Sequence, residues 1–165
     1  MKKLVLTLAI VFAGIMSVNA QVWIGGGVGA TVEKNHTEIS VAPEIGYCIN
    51  KQWQIALGAE YDFASVGGFS ANVLILEPYV RYVGGTIGKK FSLFCDLTGD
   101  FGLIDAPSKA FAVMLRPGIA WQATEQFTAA FRLGRIGYDH NFYGNNGFNM
   151  ECALVAPEIR LYYNF

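Results

Sequence analysis

Polar and apolar residues alternate along most of this chain, most clearly near its end. Every second residue from Ala153 to Phe165 is apolar or aromatic, and the residues between them include Glu158 and Arg160. Successive side chains of a β-strand point to opposite faces, so this segment is predicted to be a strand with one apolar and one polar face. After residue 20, no segment of ten or more residues shows a convincing helical repeat, and the chain is therefore predicted to be all-β.

The same alternation predicts eight strands joined by two kinds of connection. The predicted strands are Val22–Thr31, Thr37–Cys48, Trp53–Phe63, Ser70–Val83, Lys90–Phe101, Ala110–Trp121, Phe127–Tyr138 and Met150–Phe165. Short turns alternate with longer, more polar loops, which are Val32–His36, Ala64–Phe69, Gly102–Lys109 and Asp139–Asn149. This alternation is typical of a membrane barrel, and an even strand number places both ends of the domain beside the short turns. The sequence predicts an eight-stranded antiparallel up-and-down transmembrane β-barrel over residues 21–165.

The sizes of the alternating side chains indicate which face points outward. One face carries bulky rings such as Trp53, Tyr61 and Phe131, whereas the other is richer in glycine, alanine, serine and charged residues. Because eight strands enclose an interior that side chains only just fill, the bulky face is expected on the outside. A soluble binding barrel would require the opposite assignment of the two faces.

Aromatic residues also cluster at the strand ends that flank the short turns. These residues are Trp53, Phe91, Trp121, Phe127, Tyr163 and Phe165. Aromatic side chains are enriched where a membrane barrel meets the lipid headgroups. The six residues are therefore predicted to form an interfacial aromatic girdle.

The inward face is predicted to carry charges of both signs. By strand parity the inward acidic residues are Glu44, Glu60, Asp62, Glu77, Asp96, Asp100 and Glu158, and the inward basic residues are Arg81, Arg116, Arg132 and Arg160. Charges away from water are tolerated when they are paired, and the planar guanidinium group can hold carboxylates. We expect an ion-pair network that plugs the lumen. Separately solvated side chains in a wet interior are the alternative.

A proline–x–aliphatic–x–apolar pattern recurs on the even-numbered predicted strands. It begins at Pro43, Pro78, Pro117 and Pro157. Each repeat holds only two long strands, whereas a propeller blade needs four. Proline removes a hydrogen bond from a strand that is paired on both sides, so these prolines are predicted to face outward at β-bulges.

The first twenty residues have the composition of a cleaved signal peptide. Lys2 and Lys3 precede an apolar run from Leu4 to Met16, and small residues at Val18 and Ala20 suit a cleavage site. The run is too short to cross about 30 Å of hydrocarbon as a helix. Loss of residues 1–20 would leave ten basic and thirteen acidic side chains, and this balance suggests no nucleic-acid partner.

Few residues suggest catalysis or cofactor binding. Cys48, Cys95 and Cys152 are widely separated and show no metal-binding or disulfide pattern. The run Gly25–Ala30 formally matches a dinucleotide-binding motif, but strand-like sequence follows it where a helix is required. His140 has no neighbouring serine that would support acyl transfer. No catalytic residue, cofactor or metal is predicted, and a lipid-modifying enzyme is a less favoured interpretation.

The longest predicted loop, Asp139–Asn149, contains Phe142, Tyr143 and Phe148 among asparagine and glycine residues. Rigid aromatic rings among small polar residues are typical of contact surfaces. The three aromatic residues are predicted either to contact an external partner or to rest on the headgroup region of a membrane.

The signal segment, the repeated proline pattern and the terminal Phe165 together resemble small eight-stranded outer-membrane barrels of the outer-membrane protein X, opacity-protein and porin-like superfamily. The resemblance implies a location in the bacterial outer membrane, in contact with outer-membrane lipid and lipopolysaccharide. It also implies that periplasmic chaperones and the barrel-assembly machinery act during biogenesis, the latter recognising Tyr163 and Phe165. The expected function is a non-enzymatic surface scaffold with four extracellular loops and an unknown extracellular partner. A narrow porin-like channel or a conduit for small hydrophobic molecules is the alternative.

Overall fold

The computed structural model describes residues 22–33, 36–66, 69–104, 110–142, 146–152 and 158–165. Its elements are β1 (Val22–Glu33), β2 (His36–Cys48), β3 (Trp53–Val66), β4 (Phe69–Ile87), β5 (Phe91–Ile104), β6 (Phe111–Gln122), β7 (Phe127–Arg132), β8 (Gly134–His140), β9 (Asn146–Cys152) and β10 (Glu158–Asn164). The described part of the chain contains no helix that is long and apolar enough to cross a membrane. The predicted signal peptide, residues 1–20, lies outside the described residues.

The strands close into a barrel with simple antiparallel neighbours. Each of β1 to β6 pairs with the next strand, β6 pairs with both β7 and β8, and β10 pairs with β7 on one side and β1 on the other. β7 and β8 together correspond to the seventh predicted strand, and β9 and β10 to the eighth. The prediction of an all-β, eight-stranded, antiparallel up-and-down barrel is therefore confirmed.

The seventh strand is interrupted at Leu133, a break that the periodicity did not predict. Gly134 has φ of 149°, and a Cβ atom on it would lie 2.3 Å from the carbonyl oxygen of Glu151. Only glycine tolerates both this backbone conformation and this close approach. The break therefore follows from one residue that has no side chain.

The prolines of the repeated pattern explain local gaps in the pairing. Pro43, Pro78 and Pro117 are exposed, so their predicted outward position is confirmed, whereas Pro157 lies outside the described residues. At Pro43 and Pro78 the pairing with the following strand is interrupted, but the register is the same on both sides of the interruption. The predicted β-bulge is therefore wrong at these two positions. At Pro117 the facing strand has one extra residue around Leu133, which is a β-bulge. Proline has no N–H to donate, so the ladder opens beside it.

The barrel is charged inside and apolar outside. Asp96 and Asp100 are 0% exposed and Arg132 is 1% exposed, whereas Leu161 is 62% exposed and Val28 is 83% exposed. An apolar cluster nevertheless fills the inside of the short-turn end, where its buried members are Trp23, Tyr79, Phe94, Ala130 and Tyr162. The interior therefore has an ionic centre and an aromatic layer near the short turns.

Small residues make room for this aromatic layer, and Gly46 provides a direct test. Trp23 lies opposite Gly46, and a Cβ atom at Gly46 would lie 2.1 Å from Cζ2 of the indole ring. We expect Gly46→Val to lower the free energy of unfolding by about 1–3 kcal/mol, or to prevent folding, because the ring has no free space. Urea unfolding followed by circular dichroism measures the change.

Gly85→Val is the matched control for this test. Gly85 also lies in a strand, but nothing is within 4 Å of a Cβ atom built on it. Equal destabilisation by the two variants would contradict the proposed packing of Trp23 against Gly46.

Candidate functional site

The most distinctive cluster of side chains is the network of charges inside the barrel. Strand register brings its members together: Arg81 on β4 lies opposite Asp96 on β5, which in turn lies opposite Arg116 on β6. On the other side of the barrel, Arg132 on β7 lies opposite Glu158 on β10. Two ion pairs of the network, Arg81–Asp96 and Arg132–Glu158, therefore join residues that lie directly opposite each other on neighbouring strands.

Asp96 binds two guanidinium groups. Arg81 donates from Nε to Oδ1 at 2.6 Å and from Nη2 to Oδ2 at 2.9 Å, which is a bidentate pair. Arg132 donates from Nε to Oδ2 of the same carboxylate at 3.0 Å. Because all three side chains are at least 95% buried, the contacts replace most of the hydration that these charges lose.

Toward the long-loop end, Glu77 binds Arg116 and the same Arg132, and Asp100 binds Arg116. One oxygen of Glu77 lies 3.1 Å from Nη1 of Arg116, and the other lies 2.9 Å from Nη1 of Arg132. Asp100 Oδ2 accepts a hydrogen bond from Nη2 of Arg116 at 2.7 Å. Arg132 therefore connects the Asp96 pair to the carboxylates of Glu77 and Glu158.

Glu158 and Arg160 carry the network across to the first strands. Glu158 contacts Arg116, Arg132 and Arg160. Arg160 Nη1 lies 2.7 Å from Oε1 of Glu44, and its Nη2 lies 3.5 Å from Oε2 of Glu60. Ion pairs thus run continuously from β4 and β5 to β2 and β3.

Of the eleven charged residues predicted to face inward, ten take part in these ion pairs: nine that contact one another across the lumen face, and Asp100, which is joined to them through Arg116. The nine are Glu44, Glu60, Glu77, Arg81, Asp96, Arg116, Arg132, Glu158 and Arg160. Asp62 is half-buried on the same face. Glu60 and Glu158 are the more accessible members, with 26% and 35% of their side chains exposed.

Aromatic rings around Arg81 are a feature that the sequence reasoning missed. The guanidinium carbon lies 4.2 Å from the ring centroid of Phe94 and 5.1 Å from that of Tyr162. Tyr162 Oη accepts a hydrogen bond from Arg81 Nη2 at 3.2 Å, and Tyr79 Oη donates to Oε2 of Glu44 at 2.5 Å. Cation–π contacts become stronger where water is excluded. The alternation along the last strand places Tyr162 on the inward face. However, the average side-chain size of a whole face does not reveal which single rings point inward.

The six residues of the predicted aromatic girdle lie together on the outside of the short-turn end. Trp53, Phe91, Trp121, Phe127, Tyr163 and Phe165 are all exposed. Ring centroids are 5.2 Å apart for Phe127 and Tyr163 and 5.1 Å apart for Tyr163 and Phe165. Trp53 also packs against Tyr82, which the prediction had not included.

Three of the four loops predicted to be long are shorter than the sequence suggested. β1 and β2 take up all but residues 34–35 of Val32–His36, and β3 and β4 take up all but residues 67–68 of Ala64–Phe69, because the strand pairing continues past the polar residues.

The third of these loops is the predicted surface loop Asp139–Asn149. Phe148 lies in β9, opposite Tyr138, and is 76% exposed. The neighbouring asparagine and glycine residues favour a loop in the sequence, but in the structure Asn146, Gly147 and Asn149 belong to β9 and pair with β8. Phe142 is half-buried and its N–H donates to Oδ1 of Asp139 at 2.8 Å, whereas Tyr143 lies outside the described residues.

Other chemistry has little support in the part of the chain that the structure describes. Within that part, no three His, Cys, Asp or Glu side chains are grouped in a way that could hold a metal ion. Cys48, Cys95 and Cys152 are free thiols. No protein-family model and no curated protein matches this chain. The structure establishes the barrel architecture, while the resemblance to a superfamily of outer-membrane barrels stays a prediction.

Removal of the Asp96 carboxylate tests how much the ion-pair network stabilises the barrel. Asp96→Ala leaves two buried guanidinium groups without a shared partner, and the loss of one member of a buried ion pair costs about 3–5 kcal/mol. We expect a loss of this size in the free energy of unfolding, measured with urea.

Glu151→Ala is the control for this variant. It removes an ion pair with Arg135 at 2.6 Å that lies at the surface, with 53% of the Glu151 side chain exposed. Surface pairs contribute about 0–1 kcal/mol. A similar stability for the two variants would show that the lumen charges are separately hydrated.

Proposed function

We propose that this chain is an integral outer-membrane β-barrel that serves as a non-enzymatic scaffold for extracellular loops. The observation that carries the proposal is the inverted distribution of side chains in the barrel. The largest completely buried side chains include Arg132, Asp96 and Asp100, while large aliphatic side chains are exposed on most strands. A folded protein in water would have the reverse arrangement.

Exposed apolar side chains lie on strands all around the barrel. Ile55 and Leu57 on β3, Leu97 on β5, Leu115 on β6 and Leu161 on β10 are all more than two-fifths exposed. Soluble monomers rarely expose contiguous apolar patches larger than a few hundred Å². Contact with lipid acyl chains would remove this surface from water.

An apolar depression on the outer surface supports contact with acyl chains. Its volume is about 1100 Å³, and its lining includes Ile24, Ile45, Leu57 and Leu161. Ala59, paired with Leu76, and Ala129, paired with Leu161, also line the depression, and their small side chains leave the space open. The flexible chains of membrane lipid or lipopolysaccharide would fill such a shape.

The positions of the turns and of the aromatic girdle support one direction of insertion. The short turns, β1 and Phe165 meet at the end that carries the girdle, and this end would face the periplasm. Export would depend on residues 1–20 as a cleaved signal peptide. Chaperones and the barrel-assembly machinery would then act during insertion, with Tyr163 and Phe165 as the recognised end of the closing strand.

A narrow porin-like channel or a hydrophobic conduit is the alternative function, and the ion pairs argue against the channel. Arg132 reaches from β7 to Glu77 on β4, and Arg116 reaches from β6 to Glu77 and to Glu158 on β10, so each of these contacts passes over at least one intervening strand. These contacts occupy the space that ions would need. We therefore assign the lumen a structural role in holding the scaffold rigid.

Substitution of Leu97 distinguishes the membrane barrel from a soluble one. We expect Leu97→Arg to destabilise the barrel in lipid vesicles by about 2–4 kcal/mol, as a cation facing the middle of a bilayer does. Urea titration of the vesicle-inserted protein, with heat-modifiable gel migration to detect the folded form, measures the effect. Gln126→Arg, at an exposed turn residue, is the control and should cost no more than about 1 kcal/mol.

The opposite outcome has a clear meaning. If Leu97 faced water, Leu97→Arg would leave stability unchanged or raise it. That result, together with a protein that stays monomeric in buffer without detergent, would exclude the membrane location.

Conductance in planar bilayers tests the role of the lumen. We expect the inserted protein to show no steady openings, because its lumen is crossed by ion pairs. Arg116→Gln, which releases Glu77, Asp100 and Glu158 from one guanidinium group, should produce brief openings. Reproducible openings of one size in the unmodified protein would favour the channel and overturn the structural role of the network.

A further inference from the structure

A polar cavity opens at the short-turn end of the barrel, beyond the ion-pair network. Its volume is about 340 Å³, within the range of about 300–1,000 Å³ that is common for small-molecule sites. Its buried lining includes Trp23, Arg81 and Tyr162, and its exposed lining includes Lys51 and Glu125. The proposed function assigns no role to this cavity.

The buried side chains of the cavity offer hydrogen-bond donors without acceptors. Trp23 is 2% exposed, and its Nε1 has no hydrogen-bond partner among the described residues. Arg81 uses Nε and Nη2 to bind Asp96 and Tyr162, which leaves Nη1 without a partner in the described part of the chain. Tyr162 Oη accepts the bond from Arg81 and keeps its own hydrogen for donation. Buried donors are normally satisfied, so the Trp23 N–H calls for an acceptor from outside the chain, and the donors of Arg81 and Tyr162 line the same cavity.

The charge around these donors favours a carboxylate as that acceptor. Among the described residues, Arg81 contacts one carboxylate, that of Asp96, and shares it with Arg132, so its positive charge is only partly balanced. Lys51 adds a second positive charge at the mouth of the cavity, and Glu125 provides a negative charge there. A carboxylate has only acceptor atoms when ionised, which matches a group of donors.

We infer that this cavity binds a small zwitterion of amino-acid size, with its carboxylate at Arg81 and Trp23 and its ammonium group toward Glu125. The aromatic rings of Trp23, Phe94 and Tyr162 would contact the aliphatic part of the ligand. The inference does not depend on a membrane location, because the cavity is formed by the barrel itself. If the proposed function is correct, the site faces the periplasm.

The Trp23 indole is a direct reporter for binding. In a nitrogen-15 NMR spectrum of the folded full chain, the indole N–H of each tryptophan gives a separate signal, and Trp23→Phe identifies the signal of Trp23. We expect L-alanine and L-alanyl-L-alanine to shift that signal in a saturable way. L-alanine methyl ester, which lacks the carboxylate, should bind at least about tenfold more weakly, because a charged hydrogen bond is lost.

Two variants separate binding at the cavity from effects on folding. Trp23→Phe removes the N–H donor and should weaken alanine binding about tenfold, as detected by the amide signals of Ser92 and Thr128. Trp53→Phe, on the outer surface at the same end, is the matched control and should bind normally. Ala120→Leu fills the cavity with a larger aliphatic side chain and should abolish binding while the barrel stays heat-modifiable.

Other outcomes would overturn the inference. The absence of any saturable shift would mean that the cavity holds only water. Equal shifts with chloride or inorganic phosphate would indicate an adventitious ion only. Normal binding by both Trp23→Phe and Ala120→Leu would place the ligand elsewhere on the barrel.

Discussion

Asp96 binds the guanidinium groups of Arg81 and Arg132 in the interior of the barrel, and the rest of the lumen depends on this shared carboxylate. Arg81 is held by both oxygens, and Arg132 extends from the same carboxylate to Glu77 and Glu158. A charge in a narrow, poorly hydrated space is tolerated only when partners surround it. The position of each charged residue is therefore constrained by residues on several other strands.

The same strand periodicity that places these charges inside places the aliphatic side chains outside. Arg116 faces the lumen, and its neighbours Leu115 and Pro117 are exposed on the outer surface. A shift of one residue in register would reverse both faces at once. The ion pairs and the apolar outer surface are thus two consequences of a single register, which the network helps to fix.

The sequence predicted the inward position of Asp96 and Arg132 because alternation is a local property of a strand. It did not predict which carboxylate each arginine binds, since Arg116 and Glu158 meet only after strands distant in sequence have closed the barrel. The aromatic rings around Arg81 were missed because the size of a whole face does not identify single inward rings. The break at Leu133 was missed for a similar reason, since it depends on a backbone conformation that Gly134 allows.

Trp53 and Trp121 are expected to lie at the membrane interface, within reach of lipid acyl chains, whereas Trp23 is expected to be shielded from lipid inside the barrel. The most direct test is fluorescence quenching by brominated acyl chains in lipid vesicles. Variants in which phenylalanine replaces two of the three tryptophans isolate each signal. Strong quenching of Trp53 and Trp121 with little quenching of Trp23 is the predicted result. Quenching of Trp23 as strong as that of the others, or none of Trp53 and Trp121, would contradict an apolar outer face in contact with lipid.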